Sequence, residues 1–197
     1  MTNWRAQLDA ALRAPGRPSS DFDLNVDTVL PPTRKLRDAG VLIAVDEAAG
    51  VPRVWLTKRS SKLKHHPGQI AFPGGKVDPQ DGGPIAAALR EAHEEIGLPA
   101  EHSQVLGTLP SHETVTGFVV TPVIAQITVP FRPTPEPGEV AEVFAVPLAH
   151  LLDPANFSVQ ARRWRGAERA YYTVPYGPYY IWGATARILR AWADLMA

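Results

Sequence analysis

Three glutamates within two helical turns carry the strongest chemical signal in this chain. Glu91, Glu94 and Glu95 stand at i, i+3 and i+4, so on a helix they share one side. Like charges at that spacing repel by about 0.2–0.5 kcal/mol per pair, a cost that a cation among them removes. Carboxylates are hard oxygen ligands, and Mg2+ or Mn2+ is their natural occupant. Arg90 can hold one of the carboxylates in place as an internal counter-ion. The Pro73-Gly74-Gly75 turn upstream lets the backbone approach closely and offer a carbonyl to the same cation. The surrounding charge is segregated. Between Glu47 and Asp78 the chain has Arg53, Lys58, Arg59, Lys62, Lys64 and Lys76 and no acid; from Asp78 to Glu101 six acids face Arg90. Such runs are usually solvated faces; the spacing of the glutamates sets this one apart.

The elements that must position these groups can be read around them. Residues 84–96 form a helix, with Pro84 at its first position, an apolar stripe of Ile85, Ala88, Leu89, Ala92 and Ile96, and Gly97 to end it. Strand signals cover 40–45, 51–57, 104–109, 119–129, 140–146, 157–164 and 170–174, with a short apolar piece at 70–72. Helical stripes at about 3–14, capped near Asn3, and 184–196 lie at the two ends. The proline-bearing connection 15–32 is expected to run over the surface. Strands interrupted by one central helix and closed by another imply an α/β or α+β fold with a mixed sheet.

The segment Gly75-Lys76-Val77-Asp78-Pro79-Gln80-Asp81 leading to Arg90-Glu91-Ala92-His93-Glu94-Glu95-Ile96-Gly97-Leu98 resembles the Nudix box, Gx5Ex7REUxEExGU. Its second half matches at every defined position. In the first half Asp81 stands where the pattern has Glu, and eight residues rather than seven separate it from Arg90. Upstream, the run from Leu56 to Gly75 is similar to the LLTxRSxxLRxHxGQxxFPGG signature of the coenzyme A pyrophosphatase branch, with Lys64 where that signature has Arg. Glu139–Phe144 and Ile181–Leu189 also look like that branch.

The resemblance implies a Nudix α/β/α sandwich over 38–197, preceded by an N-terminal helix and extended connection over 1–37. It implies metal-dependent hydrolysis of the diphosphate of coenzyme A or its derivatives, giving 3′,5′-ADP and 4′-phosphopantetheine. Glu91 and Glu95 would be the main ligands of Mg2+ or Mn2+, assisted by Glu94 and the Gly75 carbonyl. Catalytic roles fall to Glu94, Glu95, Arg90 and Glu113. The general base is Glu94 or an acid on a later loop (Glu113, Glu136, Glu139 or Glu142). Substrate contacts fall to Arg59, Lys64, His65, Gln69, Gly74 and Lys76. A Nudix enzyme for NADH or ADP-ribose, and a nucleotide-sensing module that does not cleave, are the alternatives. The intact run of three repelling carboxylates disfavours the sensor.

Other features stay open. The neighbouring His65 and His66 suit an exposed loop or acid–base chemistry. Tyr171, Tyr172, Tyr176, Tyr179, Tyr180 and Trp182 suit a sheet surface or a base-stacking platform. Arg162, Arg163, Arg165 and Arg169 suit a solvated hairpin tip or a phosphate grip. His112-Glu113 begins a zinc-protease pattern that Thr116 breaks, and phosphate-loop and serine-hydrolase motifs are absent.

Composition agrees with a small-molecule enzyme. Lys plus Arg and Asp plus Glu are 20 each among 197 residues, and a neutral chain is poorly suited to nucleic acid or membrane surfaces. Apolar residues make up 45%, enough for a packed core. With no cysteine, thiolate chemistry is excluded and a cytoplasmic setting, as monomer or homodimer, is the expectation.

Overall fold

The computed structural model describes residues 4–13, 16–31, 33–164 and 166–196. In chain order the elements are α1 (Trp4–Arg13), β1 (Ser19–Ser20), β2 (Arg37–Asp46), β3 (Arg53–Arg59), β4 (Ile70–Ala71), β5 (Gly74–Lys76) and α2 (Pro84–Ile96). They continue as β6 (Ser103–Thr108), β7 (His112–Glu113), β8 (Phe118–Ile127), β9 (Val140–Pro147), α3 (Leu148–Leu152), β10 (Ser158–Trp164), β11 (Ala167–Thr173) and α4 (Ala184–Met196).

Alternation along the two longest strands explains the layering. On β2, Ile43 and Val45 face a core shared with Trp4 and Leu8 of α1, Leu148 and Leu151 of α3, and Leu189 and Trp192 of α4. The intervening Leu42 and Ala44 face Ala88, Ala92 and Ile96 of α2. Strand β8 repeats the pattern, with Val120 and Ile124 on the first side and Val123, Ala125 and Ile127 on the second. A strand buried on both faces needs helices on both, and this is the α/β/α sandwich expected. The sheet is mixed: β2 runs parallel to β8 and antiparallel to β3 and β5, while β9 flanks β3. Among the described residues β10 and β11 form a separate hairpin.

Three readings need correction. The Pro73-Gly74-Gly75 segment is more than a turn: Gly74–Lys76 is a short strand paired with β2, Gly75 opposite Gly40. The 15–32 connection does not stay on the surface, because Ser19–Ser20 joins the sheet beside β7. There Ser19 Oγ lies 2.9 Å from Nδ1 of the fully buried His112, and Asp21 Oδ1 lies 3.1 Å from its Nε2. A buried imidazole needs both partners, and these residues supply them. Finally, Ile85 is 42% exposed, so the stripe on α2 begins a turn later, at Ala88. The proposed cap at Asn3 lies outside the described residues.

Alanines dominate the buried side of α2, so the helix sits close to β2. A Cβ at Gly40 would lie 1.9 Å from the carbonyl oxygen of Pro84 at the helix start. Gly40→Ala is therefore expected to lower unfolding stability by about 1–3 kcal/mol through overpacking, read as a shift of the denaturant midpoint. Wild-type stability in that variant would show that the strand and helix have slack.

Candidate active site

Helix α2 and strand β5 converge on the acidic cluster. Pro84 occupies the helix start, and Gly97, with φ 70°, ends it by returning its N–H to His93 O. Within those limits Glu91 and Glu95 face β5. Glu95 is 5% exposed, and its Oε2 accepts the Gly74 N–H at 3.1 Å. Glu91 packs on the backbone: a Cβ at Gly75 would lie 2.4 Å from its Oε1. A side chain at Gly75 would displace that carboxylate. Glu94 is outermost, its side chain 56% exposed.

Arg90 ties the outer acids together. Its Nε and Nη2 donate to Asp81 Oδ1 and Oδ2, both at 3.0 Å, a bidentate pair. Its Nη1 donates to Glu91 Oε1 and Glu94 Oε2, each at 3.0 Å, and Nη2 reaches Lys76 O at 3.2 Å. The Arg90 guanidinium holds the Asp81 carboxyl below the usual carboxylate range. Asp81, the early acid out of step with the box pattern, thus clamps the arginine that orders the rest.

Glu95 has no such counter-ion at contact distance. Burial pushes it up to about 8, opposed by the Gly74 N–H and raised further by Glu91. Burial also raises Glu91, against the pull of Arg90. Two desolvated carboxylates that resist ionising side by side are what a divalent cation would relieve. Among the described residues no three ligating side chains converge on one point. A cation held by Glu91 and Glu95 would complete its shell with the Gly75 carbonyl, Glu94 or water, which hard divalent ions accept. The residues present fit such an ion.

The other predicted residues divide by position. Arg59, at the end of β3, acts electrostatically on Glu95, and its backbone pairs with Gln69 O at 2.9 Å and Gly68 N at 3.0 Å. This brings the 60–69 loop to the edge of the site. Lys64 and His65 are exposed on that loop, and Lys76 is exposed on β5, its Nζ 3.5 Å from Asp78. Of the later acids, Glu139 acts on both Glu91 and Glu95, and its carbonyl accepts the Ser60 N–H at 2.7 Å. Glu136 accepts the Glu139 N–H, Glu142 accepts the Tyr179 hydroxyl, and Glu113 pairs with Arg34. Across the register Lys76–Ala39–Val120–His112, β7 lies three strand spacings from β5, roughly 14 Å. Glu113 is on that distant strand.

Residues 35–165 match the family described as NUDIX domain. The chain belongs to the Nudix family. Its relatives include proteins named uncharacterized Nudix hydrolase NudL. That of Enterobacter sp. (strain 638) is 43% identical over 154 residues, covering 78% of this chain and 80% of its own. That of Citrobacter koseri is 42% identical over 171 residues, covering 87% and 88%. A solved Nudix hydrolase from M. smegmatis, RenU, aligns with a TM-score of 0.49 and 31% identity over 58% of this chain and 72% of its own. Nudix hydrolases act on small molecules with divalent metal ions, and the cluster on α2 lies within the matched residues. No helix among the described residues is long and apolar enough to cross a membrane.

A pH experiment follows from Glu95. Its folded value of about 8 lies above the ordinary 4.5, so the folded protein holds a proton that the unfolded chain releases. This contribution to stability is complete below pH 4.5 and is lost as pH rises through 8. Metal-free protein should lose thermal stability over that window, and Glu95→Gln should flatten the loss. Mg2+ competes with the proton, so its stabilisation should be larger at pH 8 than at pH 6. A melting-temperature series showing the opposite trend would contradict the assignment.

Proposed function

We propose that this Nudix hydrolase is a metal-dependent coenzyme A diphosphatase, cleaving coenzyme A or its acyl derivatives to 3′,5′-ADP and 4′-phosphopantetheine or its acyl form. The observation that carries the reading is the meeting of two motifs. The Leu56–Gly75 run, similar to the coenzyme A branch signature, ends in the two glycines against which Glu95 and Glu91 pack. Arg59, within that run, acts electrostatically on Glu95 itself.

In this reading Glu91 and Glu95, with Glu94 and the Gly75 carbonyl, hold Mg2+ or Mn2+. When bound, the ion supplies Lewis-acid activation of the diphosphate and lowers the pKa of a coordinated water. Arg90 positions rather than reacts: clamped by Asp81, it holds Glu91 and Glu94 at fixed spacing. Arg59, Lys64 and Lys76 offset the negative charge of the diphosphate, and His65, Gln69 and Gly74 contact the substrate beside it. Water adds to one phosphorus, and the bridging oxygen leaves with the other phosphate. The water's proton passes to a site carboxylate, Glu94 on the helix or Glu139 opposite it. The protein acts in the cytoplasm on free substrate, as monomer or homodimer.

A substrate panel with Mg2+, read by product mass, tests the reading. Coenzyme A should exceed NADH and ADP-ribose in kcat/KM by at least about tenfold, the worth of one charge-assisted contact to its additional phosphate. Excess EDTA should silence the reaction, and Lys64→Ala should weaken every diphosphate substrate. Equal turnover of NADH would remove the coenzyme A reading and leave the Nudix chemistry standing. EDTA-resistant turnover would remove the metal.

A further inference from the structure

Between the loop after β3 and the β10–β11 hairpin lies an open cleft of about 270 Å³, lined by His66, Pro67, Gly68, Gln69, Arg162 and Trp182. One wall is the loop after β3, where His66 has φ 54°, a left-handed conformation uncommon outside glycine and frequent where structure is held for a purpose. The other wall is the β10–β11 hairpin. Its register sets Arg162 opposite Arg169 and Gln160 opposite Tyr171, so these four side chains share a face. The hairpin's one acid, Glu168, is opposite Arg163 on the other face.

The cleft-side face therefore carries two guanidinium groups and no carboxylate. Arg162 has no ion-pair partner among the described residues. Its guanidinium instead lies 4.4 Å from the centroid of the Trp182 ring and 6.0 Å from that of Tyr171. Trp182 and Tyr171 brace each other edge to face at 5.3 Å. The arginine is held in place on a rigid aromatic support with its hydrogen-bonding fork uncommitted to any carboxylate, which suits phosphate recognition. Across the cleft stand the polar side chains of His66 and Gln69, and none of the described residues lining it is acidic.

The cleft is also tied to the acidic site. Gly68 and Gln69 bond to the backbone of Arg59, whose charge acts on Glu95. A Cβ on Gly183, next to Trp182, would lie 3.5 Å from Gln69 Nε2. A substrate whose diphosphate lies at the Nudix box thus has a second, basic recess beside it. We propose that this cleft binds the 3′-phosphate of the substrate's adenosine half, with Arg162 as the phosphate contact and Trp182 as the residue that positions Arg162. The inference rests on the coenzyme A reading and assigns the part of the site that would distinguish coenzyme A from other nucleotide diphosphates.

The test combines binding with turnover. Calorimetric titration of the metal-free protein with adenosine 3′,5′-bisphosphate and with 5′-AMP should show the bisphosphate at least about tenfold tighter. With Mg2+, coenzyme A should exceed dephospho-coenzyme A in kcat/KM by a similar ratio. Arg162→Gln should bring both ratios close to one, the change falling on KM rather than kcat. Arg162→Lys should give intermediate ratios, since it keeps charge and loses the fork. Trp182→Ala should act in the direction of Arg162→Gln, and Trp182→Phe should recover most of the preference. Wild-type ratios in Arg162→Gln or Arg162→Lys protein that melts like the parent would overturn the cleft assignment alone. Wild-type protein that cleaves NADH as well as coenzyme A would overturn the substrate reading instead.

Discussion

Helix α2 presents three carboxylates to one side, and the rest of the site exists to make that tolerable. Arg90 meets the problem on the outside. One guanidinium engages Asp81, Glu91 and Glu94 together and reaches the Lys76 carbonyl. No comparable cation touches Glu95, which is buried against the Gly74 N–H with its pKa raised. The remaining imbalance is concentrated between Glu91 and Glu95, beneath the Gly75 backbone. That is where a divalent ion gains most and where water is already largely excluded.

The sandwich serves this arrangement through close approaches. Alanines on α2 and Gly40 on β2 bring helix and sheet together. Gly75 on β5 then lies directly under the Glu91 carboxylate. Pairing of β5 with β2 fixes the depth at which Gly74 meets Glu95. From the other side, Arg59 and Glu139 come in on neighbouring backbone: β3 pairs with β9, and Ser60 bonds to the Glu139 carbonyl.

Local features of this design were legible in the sequence. Helix 84–96 with its Pro84 start and Gly97 end emerged at its observed bounds, because capping and periodicity are local properties. The three glutamates and Arg90 follow from spacing on that helix. Features that depend on tertiary pairing were not visible. The strand character of Gly74–Lys76 comes only from β2 lying alongside, since glycines carry no strand signal. The role of Asp81 needed a fold that brings a loop acid to Arg90 nine residues later. Glu139 was one of several acids of equal standing until β9 paired with β3. The partnership of Ser19, Asp21 and His112 spans more than ninety residues, beyond the reach of any local pattern. In the hairpin, the arginines could be seen but the register that places Arg162 at the cleft could not; Arg165 lies outside the described residues.

The central claim is that Glu91 and Glu95 hold a divalent cation in the space that Arg90 leaves to them. Titration of the protein with Mn2+, followed by electron paramagnetic resonance of the free ion, measures this without reference to substrate. The wild type should bind, and both Glu91→Gln and Glu95→Gln should lose at least about tenfold in affinity, since a ligand should matter no less than the partners around it. Folded variants that bind Mn2+ as tightly as the parent would contradict that claim.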